Sequence, residues 1–204
     1  LIICVLFSVF YAQEKWNYSA EEMDQIKVAG ETIRRLKENV RFTKTDQVII
    51  TDNAVQHIKD DILYMNGNTI MINGLDTLTC DSMVYWSELD SGYAMGNVHY
   101  VQPKNDRRLT TAILHYWQTE GYRGSSFVTK GYTQITEPAQ LISAYKISYD
   151  DDNQLMKLRD KASVENPTRG IFGDEIIIQY ADSLIQQINV TTNAFAYNDL
   201  NVRI

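Results

Sequence analysis

The chain has 204 residues, a net charge of −7 and a pI near 4.9, which argues against the dominant basic face of a nucleic-acid binder. Its 13 tyrosines, against 10 glycines and 3 prolines, suit folded β-structure better than disorder. The length allows one or two domains with a substantial core.

The first residues, LIICVLFSVFYAQ, form an apolar run too short for a bilayer, which takes about 20 residues. We read residues 1–12 as the remnant of a secretory signal peptide cleaved after Ala12. Residues 13–204 are then one exported domain, with its natural C-terminus left open. Cleavage removes Cys4 and leaves Cys80 alone, so no internal disulfide is expected.

Residues Ser19 to Lys37 carry two patterns. Ser19-Ala20-Glu21-Glu22 reads as a capping box, and Met23, Ile26, Ile33 and Leu36 could line a helix. A helix would hold Gly30 in its middle at a cost of about 1 kcal/mol, whereas Tyr18, Ala20 and Met23 fit a strand pattern that recurs downstream. We therefore predict strand–turn–strand. Within it begins a basic cluster, Arg34, Arg35, Lys37, Arg41 and Lys44, expected on strands 33–37 and 40–44. It reads either as a contact for a phosphate or anionic headgroup or as an edge strand guarded by charge.

From there the chain repeats. Tyr18, Ile49, Leu78, Leu109, Ile142 and Ile171 form a ladder with spacings of 31, 29, 31, 33 and 29. Two residues on stands a small side chain: Ala20, Thr51, Cys80, Thr111, Ala144 or Gly173. Five on stands Met23, Ala54, Met83, Leu114, Ile147 or Ile176, and seven on Gln25, Gln56, Tyr85, Tyr116, Tyr149 or Ile178. Side chains alternate along a strand, so the first two columns share one face and the last two share one face. Between them the parity flips, and both pairs point inward only if the strand bends or bulges there. Asp52, Asp81 and Asp174 mark the bend, where a carboxylate can cap free backbone N–H groups. Cys80 is then a small core residue.

Eighteen residues after two of the markers come Gly67-Asn68-Thr69 and Gly96-Asn97-Val98, expected to open a new strand after a polar turn. Later units keep a turn without the Gly-Asn pair, around Ser125-Ser126 and Arg159-Asp160. Asp150 to Asp152 lacks the spacing and closing Glu of a calcium loop and reads as a solvated turn.

No catalytic constellation emerges. His57, His99 and His115 are dispersed and lack metal-ligand spacing, and the chain has neither a G-x-S-x-G elbow nor a Walker loop. The corner aspartates could stack into a carboxylate row, but their shared position favours turn capping. No enzyme activity, cofactor, metal or nucleic-acid partner is predicted.

The strand Leu78-Thr79-Cys80-Asp81-Ser82-Met83-Val84-Tyr85, followed by Ala94-Met95-Gly96-Asn97-Val98, resembles the OstA-like family, which includes the LptA-type proteins of lipopolysaccharide transport. Ile50-Thr51-Asp52-Asn53-Ala54 and Phe172-Gly173-Asp174-Glu175-Ile176 repeat the pattern. The resemblance covers roughly residues 16 to 190 and is strongest over 67 to 100; Ala112 and Tyr145 depart from it in place of the corner Asp. It implies an all-β, repetitive antiparallel sheet folded over on itself and open at both ends, a β-jellyroll or β-taco of about six units. It also implies a periplasmic location, acyl chains of lipopolysaccharide (its lipid A part) bound inside, and end-to-end strand pairing with other transport proteins or with further copies of the chain.

The inward columns agree, since Met83, Tyr85, Leu114, Tyr116, Ile147 and Ile176 would build an apolar channel for acyl chains. Arg34, Arg35 and Lys37 would meet the headgroup. Closed packing of the same columns is the alternative. Two rival functions remain at this stage: a β-helical carbohydrate-active enzyme, and a purely structural β-scaffold.

Overall fold

The computed structural model describes residues 16–118, 125–181 and 184–198; the expected signal remnant, with Cys4, lies outside them. Among the described residues, sixteen strands form one sheet in which every pairing is antiparallel. Two short strands, β1 (Asn17–Ser19) and β2 (Glu22–Val28), both pair with β3 (Glu31–Lys44). A meander follows: β4 (Gln47–His57), β5 (Ile62–Asn73), β6 (Asp76–Trp86), β7 (Ser91–Gln102) and β8 (Arg107–Gln118). Next, β9 (Ser125–Lys130) and β10 (Thr133–Glu137) lie end to end along β8. In the same way β11 (Gln140–Ala144) and β12 (Lys146–Asp150) lie along β13 (Leu155–Asn166). Finally β14 (Arg169–Ala181) carries both β15 (Leu184–Thr191) and β16 (Phe195–Asn198). Joining the four end-to-end pairs turns sixteen strands into twelve rungs, two for each of the six units in the sequence. This antiparallel meander is not the wound coil of a β-helix, which removes the fold that the carbohydrate-enzyme alternative required. Among the described residues the one helical turn is a 3-10 segment at Pro103–Asn105.

The Ser19 to Lys37 segment is strand–turn–strand, turning at Ala29-Gly30. The basic cluster lies on one continuous strand, β3, rather than on two.

Every rung bends at the same level. Alternate rungs carry two residues opposite one, the signature of a bulge: the register jumps from Asn66↔Ser82 to Thr69↔Cys80, and from Met95↔Ile113 to Val98↔Thr111. Gly67-Asn68 and Gly96-Asn97 supply the extra residues with positive φ, +86 and +45, then +73 and +45. They therefore lie inside β5 and β7 and do not open new strands. The reason is that a left-handed pair breaks the ladder locally while the partner strands run through on both sides. In the other units Glu38-Asn39, Asp160-Lys161 and Thr192-Asn193 take left-handed values without glycine. The fourth unit bends at Gly131, between β9 and β10, and not at Ser125-Ser126 as expected.

On the facing strands stand the small-Asp corners. Asn68 Nδ2 donates to Asp52 at 2.9 Å, Asn97 Nδ2 to Asp81 at 3.0 Å and Asn193 Nδ2 to Asp174 at 2.6 Å; Asn39 reaches Glu21 in the same way. The corner acids thus clamp the neighbouring strand's asparagine side chain, where backbone capping was expected. Threonines pair beneath the bend, Thr51 with Thr69 at 3.0 Å and Thr111 with Thr133 at 2.8 Å, which satisfies hydroxyls that burial would otherwise penalise.

The row of bends is a spine along which the sheet folds onto itself. Wing A contains β1, β10, β11 and β16, wing B contains β2, β9, β12 and β15, and every other strand gives one half to each. Side chains from both wings form a single buried cluster. The turn at Asp150 to Asp152 is only partly solvated, because Asp151 is buried and its N–H donates to Ser126 Oγ at 2.9 Å.

Candidate functional site

The interior between the wings is layered from spine to rim. Small residues and paired threonines sit at the spine. Next come the apolar rows, among them Ile49, Leu78, Leu109 and Ile142 from wing A, facing Met83, Leu114, Ile147 and Ile176 from wing B. At the wing tips, opposite the spine, the inward row turns polar: Gln47, Asp76, Gln102, Arg107 and Glu137 on wing A, and tyrosine hydroxyls on wing B.

All six residues assigned to the interior face it, and five of them, Met83, Tyr85, Leu114, Ile147 and Ile176, are at most 1% exposed. Tyr116 is partly buried against the same cluster. The wings meet along a tied seam. Tyr85 donates to Asp90 at 2.6 Å, and Gln47 of wing A donates to the same carboxylate at 3.4 Å. Tyr116 donates to Met71 Sδ, across the seam, at 2.9 Å. Trp16 packs edge-on against Phe42 of wing A and Tyr85 of wing B, at 6.4 and 5.9 Å. Burial and the Asp90 carboxylate push the Tyr85 hydroxyl well above its ordinary value; burial first, then neighbouring acidic groups, does the same to Tyr116, and Tyr149 rises to about 12. The seam hydroxyls therefore stay neutral donors.

Arg107 was missed in the sequence. It is buried on wing A, bonded to Glu137 at 2.9 Å through Nε and at 2.7 Å through Nη2, and Gln140 also donates to Glu137 at 2.6 Å. Its guanidinium lies 5.7 and 5.6 Å from the Tyr149 and Tyr180 rings of wing B, a cation–π contact across the seam. A signal was available: two residues before each marker, on the inward face, the sequence reads Trp16, Gln47, Asp76, Arg107, Gln140 and Arg169.

Strand alternation separates the three basic residues assigned to a headgroup. Arg34 points inward, donates to Gln56 at 2.6 Å, and lies 4.0 Å from the Tyr18 ring of wing A. Arg35 and Lys37 point outward and pair with Asp24 at 2.7 Å and Glu22 at 3.4 Å. Two buried donors of the first unit lack a partner among the described residues, Arg34 Nε and Trp16 Nε1. Lys44 stands 5.9 Å from the Trp16 ring. The interior is open at the first-unit end: Met23, on the inward row opposite Leu36, is 60% exposed.

The histidines do not converge. His57 pairs with Glu31 at 2.9 Å, His99 lies on the outer face of β7, and His115 lies on the outer face of β8 between Tyr93 and Trp117. Cys80 is buried at the spine, and burial pushes its thiol up to about 11.

A comparison with curated proteins returned no match. One solved structure to which the chain is similar is LptH, described as the LptA homologous periplasmic component of the conserved lipopolysaccharide transport device from Pseudomonas aeruginosa. The two are 13% identical with a TM-score of 0.30, over 72% of this chain and 82% of that one. A family profile covers residues 49–183, from the first buried marker in β4 to the end of β14. By that match the chain belongs to the family described as LptA/(LptD N-terminal domain) LPS transport protein.

Proposed function

We propose that the chain is a periplasmic, non-enzymatic carrier that shields the acyl chains of lipopolysaccharide between its wings. The observation that carries this reading is the layered cross-section, apolar at depth and polar along one continuous seam. An amphipathic glycolipid has the same two layers. Burying an acyl chain contributes about 0.8 kcal/mol per methylene, so a chain of roughly ten carbons favours a long slot over a small pocket. The wings part along the seam to admit it, and wing–wing apolar contacts are exchanged for chain–wing contacts of the same kind.

Met83, Tyr85, Leu114, Tyr116, Ile147 and Ile176 are the acyl-facing residues in this reading. Arg34 is the leading headgroup contact, because it faces inward at the open end with a donor to spare. Arg35 and Lys37, already paired on the outer face, act there only by exchanging partners. Among the described residues, the edge rungs, β1 with β2 and β15 with β16, have no strand on their outer side and offer that backbone for end-to-end β-augmentation by transport partners or a second copy.

The tied, well-filled interior favours one rival, a scaffold whose wings only pack. Leu114→Trp separates the two, since it fills space without adding charge. In the carrier, a folded variant loses photocrosslinking of lipopolysaccharide from a probe placed at Tyr116. A folded variant that keeps full crosslinking removes the interior site.

A further inference from the structure

We infer that the outer face of wing B carries a separate binding site for an anionic sugar, a pyranose bearing a phosphate or a carboxylate. Because Ala94, Leu114 and Tyr116 face inward, alternation turns Tyr93, His115 and Trp117 outward. Their rings stand in a row, Tyr93 5.9 Å from His115 and His115 5.2 Å from Trp117, with planes inclined at 48° and 47°. They wall a recess of about 740 Å³ with Ile113 and Val128 alongside and Lys130, Tyr145, Lys146 and Asp160 at the rim. That volume falls within the roughly 300–1,000 Å³ of small-molecule sites, which combine an apolar lining with a few polar groups.

The polar groups here are unspent. Among the described residues no hydrogen bond engages the Tyr93 hydroxyl, the His115 ring nitrogens or Trp117 Nε1, and neither Lys130 nor Lys146 joins an ion pair. Three other outer-face cations are paired, Arg35 with Asp24, Lys37 with Glu22, and Arg159 with Glu175, so what distinguishes Lys130 and Lys146 is that both flank the same ring-lined recess. A pyranose has an apolar C–H face that stacks on rings and a rim of hydroxyls that meets such donors. The two free ammonium groups add a preference for an anionic substituent. An acyl chain would leave the donors and both lysines unused.

This site does not depend on the interior reading. The test is a ¹H–¹⁵N NMR titration of the full chain with glucose 6-phosphate, against glucose, inorganic phosphate and uridine monophosphate. Glucose 6-phosphate should shift the Trp117 indole resonance and bind at least about tenfold tighter than the three controls, a difference of about 1.4 kcal/mol. Trp117→Ala should abolish the shift at neighbouring amides, Trp117→Phe should retain binding, and Lys130→Ala with Lys146→Ala should reduce affinity to that of glucose. The Lys130→Ala, Lys146→Ala variant should keep the interior crosslinking of lipopolysaccharide, which separates this site's failure from that of the interior. Deacylated lipopolysaccharide saccharide and a carboxylated aminosugar disaccharide then distinguish the source, and binding of either one supports the site. No shift, equal binding of phosphate alone, or tighter binding of the nucleotide overturns it.

Discussion

Gly96→Ala tests whether the spine is built as described. Gly96 has φ +73, and an added Cβ would stand 2.9 Å from both Cβ and Cγ of Asp81, with a carboxylate oxygen nearer still. The left-handed backbone costs an L-residue about 1–2 kcal/mol. Displacing Asp81 also breaks its clamp on Asn97, an exposed bond worth about 0.5–1.5 kcal/mol. The variant should therefore lose roughly 2–3 kcal/mol in urea denaturation followed by circular dichroism. The sharper test is the cycle with Asp81→Gly, which removes the obstructing atoms. Each single variant loses the clamp, but the double variant loses it only once, so it should be about 1 kcal/mol more stable than the sum of the singles. Simple additivity, or a Gly96→Ala variant as stable as the parent, would refute the view that this glycine is needed by its facing carboxylate.

Arg107→Met should cost about 3 kcal/mol, the low end for a broken buried pair, because the half-buried Glu137 loses its counterion and keeps the Gln140 donor; adding Glu137→Met should recover most of it, and denaturation of the single and double variants reads both effects. Cys80 has a folded-state pKa near 11 against an ordinary 9.0, so the folded form holds its proton longer than the unfolded one. The stability this gives is complete below about pH 9 and declines by up to about 3 kcal/mol as pH rises towards 11; Cys80→Ala should flatten that part of the profile, and an unchanged alkaline slope would refute the assignment. The edge rungs should produce head-to-tail association that grows with concentration, and sedimentation showing a strict monomer at the highest soluble concentration would count against them.

Much of this architecture was legible because the repeat writes its geometry into side-chain parity. The change from Thr51 to Ala54, or Cys80 to Met83, is possible only where a strand bends, and the bend sits there. What escaped has physical causes. Gly67-Asn68 looks like a turn because the same left-handed preference serves turns and bulges, and only the neighbouring strands tell them apart. Glu38-Asn39, Asp160-Lys161 and Thr192-Asn193 adopt left-handed values with no glycine to advertise them. Arg107 stands in a column ahead of the markers, where residue type varies from unit to unit while direction does not. The recess around Trp117 lies on the face that a search for inward columns passes over. The candidate interior was thus readable residue by residue, whereas its tight closure depends on contacts between wings that no local pattern encodes.

The twelve rungs also make the molecule a ruler. Each rung touches chiefly its two neighbours along the sheet, so the structure behaves as a one-dimensional array whose stability accumulates unit by unit. Adjacent strands stand about 4.8 Å apart, so every unit of two rungs adds about 10 Å of length without altering the cross-section. Duplicating one whole unit of about thirty residues should lengthen the particle by that increment and keep the spine in register. Deleting a single rung should instead reverse the direction of every strand beyond it. Evolution or design can therefore set the span of such a chain in whole-unit steps only.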